Sequence, residues 1–181
     1  MANIKNHIYI KILDNEIWLY NKNNLYKEKT NNIMKNNFII NYKELEDSLK
    51  RILTKYKLIN LIIQNKIYIL INKLYCETNL FVIKNIMYNL GLSNYKIIYE
   101  EDLYKDLYSN ILSIWNTNGV YINNNVENYI DINNKNDLKL INDNTLLITN
   151  NKNILNKINK EILLYENDTN PIFEMIINKL D

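Results

Sequence analysis

Side chains able to do covalent or metal chemistry are scarce in this chain. It has one cysteine, Cys76, and one histidine, His7, far apart in sequence. A zinc site draws on several such ligands, and a nucleophilic thiol needs a positioned base, so neither can be assembled from this pair. Cys76 has no partner for an internal disulfide and reads as a small buried or half-buried thiol in a reducing compartment. The densest carboxylate group is Glu100-Glu101-Asp102. It follows a strand-like run, where α/β proteins often place ligand sites, and would suit carboxylate-only chemistry. Its plainer reading is the solvated first turn of a helix, stabilised by the helix dipole.

Phosphate chemistry is limited by glycine. The chain has 2 Gly, at positions 91 and 119, and contains neither a G-x-G-x-x-G nor a G-x-x-x-x-G-K-[ST] string. Close backbone approach to a pyrophosphate generally requires glycine, so no glycine-cradled nucleotide site is expected. Nucleic acid is also disfavoured, because 22 Lys+Arg against 20 Asp+Glu leave a net charge of only +2. Lys50, Arg51, Lys55 and Lys57 form the one local basic group and read as the solvated side of a helix. Macromolecular contact then falls to the aromatics. Trp18 and Trp115 lie in strand-like runs and read first as core. Tyr95, Tyr99, Tyr104, Tyr108 and Tyr121 are interface candidates, because tyrosine is enriched in contact patches. The candidate partner-binding set is Trp115, Tyr104, Tyr108, Tyr121, Glu100 and Asp102.

The elements that must position these residues can be read from periodicity. At 181 residues, with 47% hydrophobic content, one domain with a single core is expected. Usage is skewed towards Asn, Ile, Lys and Tyr, as coding in an A/T-rich genome would produce. No apolar run approaches the ~20 residues of a membrane helix, and the N-terminus lacks the order of a secretory leader, so a cytoplasmic location is expected. IYIKIL and EIWLY around Asp14-Asn15 predict a hairpin over 7–20. A polar loop over 21–37 follows, and a short strand at Phe38–Ile40 closes the N-terminal segment 1–40. Asn41 with Glu44 resembles a capping box, and Leu45, Leu49, Ile52, Leu53 and Tyr56 share one helical face. LINLII (58–63) and KIYILI (66–71) read as strands, the second buried on both faces.

Leu80, Phe81, Ile83, Ile86, Met87 and Leu90 recur at helical spacing, and Gly91 stands where a helix C-cap would. YKIIYE (95–100) is then a strand, so 66–100 forms a β-α-β unit with a right-handed crossover. A short helix over 101–110, a hairpin over 111–123 and a strand at 129–132 continue the chain. The core segment is thus 41–123, and 124–181 is a strand-helix segment holding TLLIT (145–149), a helix over 153–161, ILLY (162–165) and a closing helix near Pro171. The fold class is α/β, a mixed central sheet with a βαβ crossover and hairpins.

In this order of elements the chain resembles the actin-like ATPase superfamily, particularly bacterial actins of the MreB type and more distantly DnaK-type chaperones. The stretch that carries the likeness is the helix 42–56, the strand 67–71, Glu77-Thr78 opening a helix that ends Leu90-Gly91, the strand reaching Glu100, and the hairpin 111–123. TLLITNN (145–151) and Asn170-Pro171 extend it towards the C-terminus. The resemblance implies a reduced actin-like, ribonuclease-H-like fold. Its departures bear on function. The family's Asp-Leu-Gly-Thr loop is missed near the strand IYIKIL, and its Asp-Leu-Gly-Gly-Gly-Thr loop corresponds to Ser113-Ile114-Trp115-Asn116-Thr117-Asn118-Gly119. Its adenosine-binding glycines correspond to Thr149-Asn150-Asn151, and the Pro expected after Glu100 is Glu101. Length falls short of the family's four subdomains, so the two outer ones are expected to be reduced or absent.

No ATP-binding residue of the family carries over, so no cofactor is expected. The resemblance with its losses implies a non-catalytic scaffold or assembly protein working through self-association or another protein. An unrelated α/β accessory subunit is the alternative, and a carboxylate-dependent enzyme using Glu100 and Asp102 a minor one. A related scaffold predicts parallel central strands at 67–71, 95–100 and 111–115, with the 111–123 hairpin at one edge.

Overall fold

The computed structural model describes residues 7–21, 24–35, 38–58, 66–105, 107–115, 117–149, 154, 157–158 and 162–164. Where the sequence suggested one domain with its core at 41–123, the chain divides into two compact units. Among the described residues, the first holds 7–71 and 75–98, and the second holds 72–74 and 99–164.

The first unit is built on a five-stranded sheet. Its strands are β1 (Ile8–Ile12), β2 (Glu16–Asn21), β3 (Asn24–Lys29), β6 (Ile67–Ile71) and β7 (Tyr95–Tyr99), in the order β3-β2-β1-β6-β7. β1 and β2 form the expected antiparallel hairpin, pairing Tyr9 with Tyr20 and Ile12 with Ile17. β1 runs parallel to β6, pairing Ile8 with Ile67. Every residue of β1 and β6 is buried, as their continuous apolar runs require of central strands covered on both faces.

β3 replaces part of the expected loop over 21–37. It pairs antiparallel with β2, setting Lys27 beside Trp18 and Lys29 beside Glu16. Its half-exposed sequence NLYKEK lacks a buried run, and β3 is held instead by contacts from α1 (Tyr42–Lys55): Tyr26 lies 4.0 Å from the Tyr56 ring, and Arg51 reaches Glu28 at 3.4 Å. A two-residue ladder of β4 (Met34–Lys35) and β5 (Phe38–Ile39) completes this region.

α1 begins as its cap predicts, with the Glu44 N–H donating to Asn41 Oδ1 at 3.1 Å. Leu45, Leu49, Ile52 and Leu53 form its buried stripe. α2 (Glu77–Asn89) ends in a left-handed turn at Gly91, φ 69°, where the Leu92 N–H reaches back to the Met87 carbonyl at 2.8 Å. Ile83, Ile86 and Met87 of α2 are buried, but Phe81, expected with them, faces solvent. Residues 59–65, 153, 155–156, 159–161 and 165–181, which carry most of the expected strand at 58–63, the helix at 153–161 and the closing helix, lie outside the described residues.

The second unit repeats the topology. Its sheet contains β8 (Asn110–Trp115), β9 (Asn118–Asn123), β10 (Val126–Asp131), β11 (Thr145–Thr149) and β12 (Ile162–Leu164), in the order β10-β9-β8-β11-β12. β8, β9 and β10 are antiparallel neighbours, while β11 is parallel to both β8 and β12. Each sheet therefore places its own third, second, first, fourth and fifth strands in that order. This corrects the expectation that 111–115 lies in one sheet with 67–71 and 95–100: β8 opens a second sheet. Leu112, Ile114, Tyr121, Ile130, Ile141 and Leu147 form its core. Two short helices, α3 (Glu100–Tyr104) and α4 (Lys135–Leu140), belong to this unit, and α4 was not foreseen.

Among the described residues no helix is long and apolar enough to cross a membrane.

Candidate functional site

The repeated topology makes the turn 13–15 of the first unit equivalent to the connection between Trp115 and Asn118 in the second, each joining the first two strands of its sheet. The β1–β2 hairpin has Leu13-Asp14-Asn15 at its turn. Its backbone is already engaged. The Leu13 N–H donates to the Glu16 carbonyl at 2.9 Å, and the Asp14 carbonyl accepts from Ile33 and Met34. Asp14 is half-buried, and desolvation raises its carboxyl above the ordinary range.

In the second unit, Gly119 lies inside β9, between Ile114 on β8 and Ile130 on β10. A Cβ there would stand 2.9 Å from both Ile114 Cγ1 and the Ser113 carbonyl, and 3.3 Å from Ile130 Cγ1. Glycine is required at 119 by strand packing, and at 91 by the helix end. Neither lies on a loop free to cradle a ligand. Thr149 is buried at the end of β11.

The carboxylates at 100–102 form the most unusual electrostatic feature of the second unit. Their reading as a solvated helical turn fails: Glu100 is 1% exposed and Glu101 0%. β7 passes into α3 with no intervening loop, so the first turn of the helix starts inside the protein. Both Glu101 oxygens accept the Lys73 backbone N–H at 3.1 Å, and the Ser113 hydroxyl lies beside the carboxyl. Burial pushes the Glu101 carboxyl up to about 7, against the opposing effect of Ser113 and the Lys73 N–H.

Beside it lies a ring of four alternating charges. Lys73 Nζ contacts Asp102 Oδ1 at 3.1 Å and Glu127 Oε1 at 2.6 Å, and Lys105 Nζ contacts the same two oxygens at 3.0 and 3.2 Å. Burial works to lower the Lys73 ammonium, but hydrogen bonds to Glu127 and Asp102 outweigh it, and the net shift is upward. Burial raises Asp102 while Lys105 and Lys73 lower it, leaving it below the usual carboxylate range. Glu127 is lowered mainly by its bond to Lys73. Two ammonium groups and two carboxylates leave no net charge to attract an ion.

A carboxyl near 7 is suited to general acid–base work. Glu101 nevertheless has no exposed surface through which to meet a substrate. Among the described residues, no group of three or more His, Cys, Asp or Glu is placed to hold a metal.

The structure does not gather the candidate partner-binding residues on an exposed face. Glu100, Tyr104 and Tyr121 are buried, at 1%, 2% and 1% exposure. They are corrected to internal roles, because a contact residue must reach solvent. Tyr121 donates to Asn110 at 3.3 Å and accepts the Asn142 N–H at 3.1 Å. Asp102 belongs to the charge ring. Tyr108 is half-buried, tilted against Tyr104 with ring centres 6.5 Å apart. The Trp115 backbone pairs with Asn118, and its side chain lies outside the described residues. Lys73, Lys105 and Glu127 were not foreseen, and no local motif marks them. Lys50, Arg51 and Lys55 border an open groove with Glu28 and Asp47, so this basic group is partly neutralised.

The sequence matches no protein-family model and no curated protein. Its fold is similar to that of several solved structures. MreB5 of Spiroplasma citri bound to AMPPNP is 12% identical with a TM-score of 0.56, over 71% of this chain and 53% of that one. The ethanolamine utilization protein EutJ from Carboxydothermus hydrogenoformans is 9% identical with a TM-score of 0.55, over 94% and 86%. A protein of Bacteroides thetaiotaomicron with an actin-like ATPase fold and unknown function is 8% identical with a TM-score of 0.52, over 98% and 99%. This chain spans about half the length of the MreB5 structure. The architecture is a reduced actin-like fold.

Proposed function

We propose that this protein is a non-catalytic, cytoplasmic actin-like scaffold that has lost nucleotide binding and acts through protein–protein contacts. The observation that carries this reading is the placement of its 2 glycines. Gly119 is fixed between Ile114 and Ile130, and Gly91 closes α2. The two equivalent connections, 13–15 and 116–117, contain no glycine. Phosphate cradles depend on backbone N–H groups brought close to the ligand, which a Cβ obstructs. A carboxylate-dependent enzyme would find its best acid–base group in Glu101, whose full burial argues against that reading.

The test is thermal unfolding with and without millimolar ATP and magnesium. A ligand at 100 times its dissociation constant adds about 2.7 kcal/mol of stability. An unchanged, cooperative transition is the expected result. A clear upward shift would overturn the loss of nucleotide binding.

A further inference from the structure

Surface helices normally turn charged or polar side chains to water. α1 does so with Lys43, Lys50 and Lys55. α2 does so with Glu77, Lys84, Asn85 and Asn89, and sets two large aromatics among them. Phe81 is 64% exposed and Tyr88 84%, and they share a stripe with two exposed charges, Glu77 and Lys84. The spacing 77, 81, 84, 88 keeps all four within roughly 60° around the helix axis. Read along the helix, the stripe is acidic, aromatic, basic, aromatic. Neither Glu77 nor Lys84 has an ion-pair partner among the described residues.

Grooves flank this ridge. One, of ≈ 370 Å³, is lined by Tyr42, Val82, Asn85, Ile86 and Asn89. The other, of ≈ 300 Å³, is lined by Lys84, Tyr88, Gly91, Leu92, Ser93 and Tyr95. A ridge between grooves is the shape that packs against another helix.

We propose that α2 docks antiparallel on α2 of a second copy of this chain, about a two-fold axis beside Phe81. The stripe is complementary to itself, which selects a second copy as occupant. Running antiparallel, Glu77 of each copy meets Lys84 of the other, so one two-fold contact makes two equivalent ion pairs around a central pair of Phe81 rings. In the same register Tyr88 falls just beyond the N-terminal end of the partner's α2. This inference rests on the assembly reading above and names the surface and the partner.

Sedimentation velocity over a range of protein concentrations tests it, with E77K, K84E and the double swap E77K/K84E, each checked for native circular dichroism. All three alter exposed side chains only. The wild type is expected to dimerise, and each single swap to weaken dimerisation about ten-fold or more by opposing like charges. The double swap should restore it, because the ion pairs re-form with their signs exchanged. A monomeric wild type, or a dimer indifferent to the single swaps, would sink the inference. Neither result bears on the ATP measurement, so loss of this interface and loss of the pseudo-ATPase reading are distinguishable.

Discussion

The Lys73 backbone N–H points between the two oxygens of the Glu101 carboxyl, 3.1 Å from each, inside the second unit. This amide and the nearby Ser113 hydroxyl are little compensation for a fully buried charge, so the proton is retained to unusually high pH.

The consequence for stability has a definite sign. The folded-state value for Glu101 is about 7 against an ordinary 4.5, so the native state binds the proton more tightly than the unfolded chain. Stability from this group is complete below pH 4.5 and is lost as pH rises through about 7. Glu101→Gln, a neutral isostere, should remove that slope. Urea unfolding at pH 5 and pH 8 is expected to show the variant gaining on the wild type at the higher pH, by an amount on the order of 3 kcal/mol at most. Parallel pH profiles for the two proteins would refute this.

Lys73→Met probes the charge ring. It leaves Asp102 and Glu127 facing each other with only Lys105 between them. A loss of about 1–2 kcal/mol is expected, since the ring is partly solvent-screened. The Asp102 and Glu127 carboxyls should both titrate higher, a change readable by NMR and one that loss of packing alone would not produce.

Gly119→Ala should be among the most damaging single-methyl additions in the chain, because two of its three close neighbours stand at 2.9 Å and one of these is backbone. A cost of about 1–3 kcal/mol is expected in chemical denaturation. Gly91→Ala meets no atom within 4 Å but must hold φ +69°, and should lose roughly 1–2 kcal/mol from backbone strain alone. A neutral Gly119→Ala would mean that β8, β9 and β10 can move apart at no cost.

Asn41→Ala removes the acceptor that caps α1 and should cost about 1 kcal/mol, measured by the same unfolding curves. Asn41→Ser or Asn41→Asp should recover most of it.

Local signals in the sequence located the elements whose residues interact with near neighbours. The β1–β2 hairpin follows from alternation around Asp14-Asn15, α1 from Asn41 and its apolar stripe, and the end of α2 from Gly91. β3 was missed because long-range contacts support it, Arg51 with Glu28 and Tyr56 with Tyr26, rather than a buried run of its own. The second sheet was missed as a unit because strands 67–71, 95–99 and 110–115 follow each other with similar patterning, and nothing local marks β8 as the start of a new sheet. At the site, Glu101 was read as solvated because helix-opening acids usually are. Its burial depends on Lys73, 28 residues earlier, and Lys73 in turn meets Glu127 54 residues later. Charge pairs at such separations have no periodicity to betray them.

The position of Gly119 also bears on how the second sheet can vary. With Ser113, Ile114 and Ile130 closing on the place a Cβ would take, the spacing of β8, β9 and β10 is set at that point by a hydrogen atom. Any larger side chain there would act as a wedge across three strands at once, so the sheet tolerates change more readily at its outer strand, where Val126 and Tyr129 already face solvent.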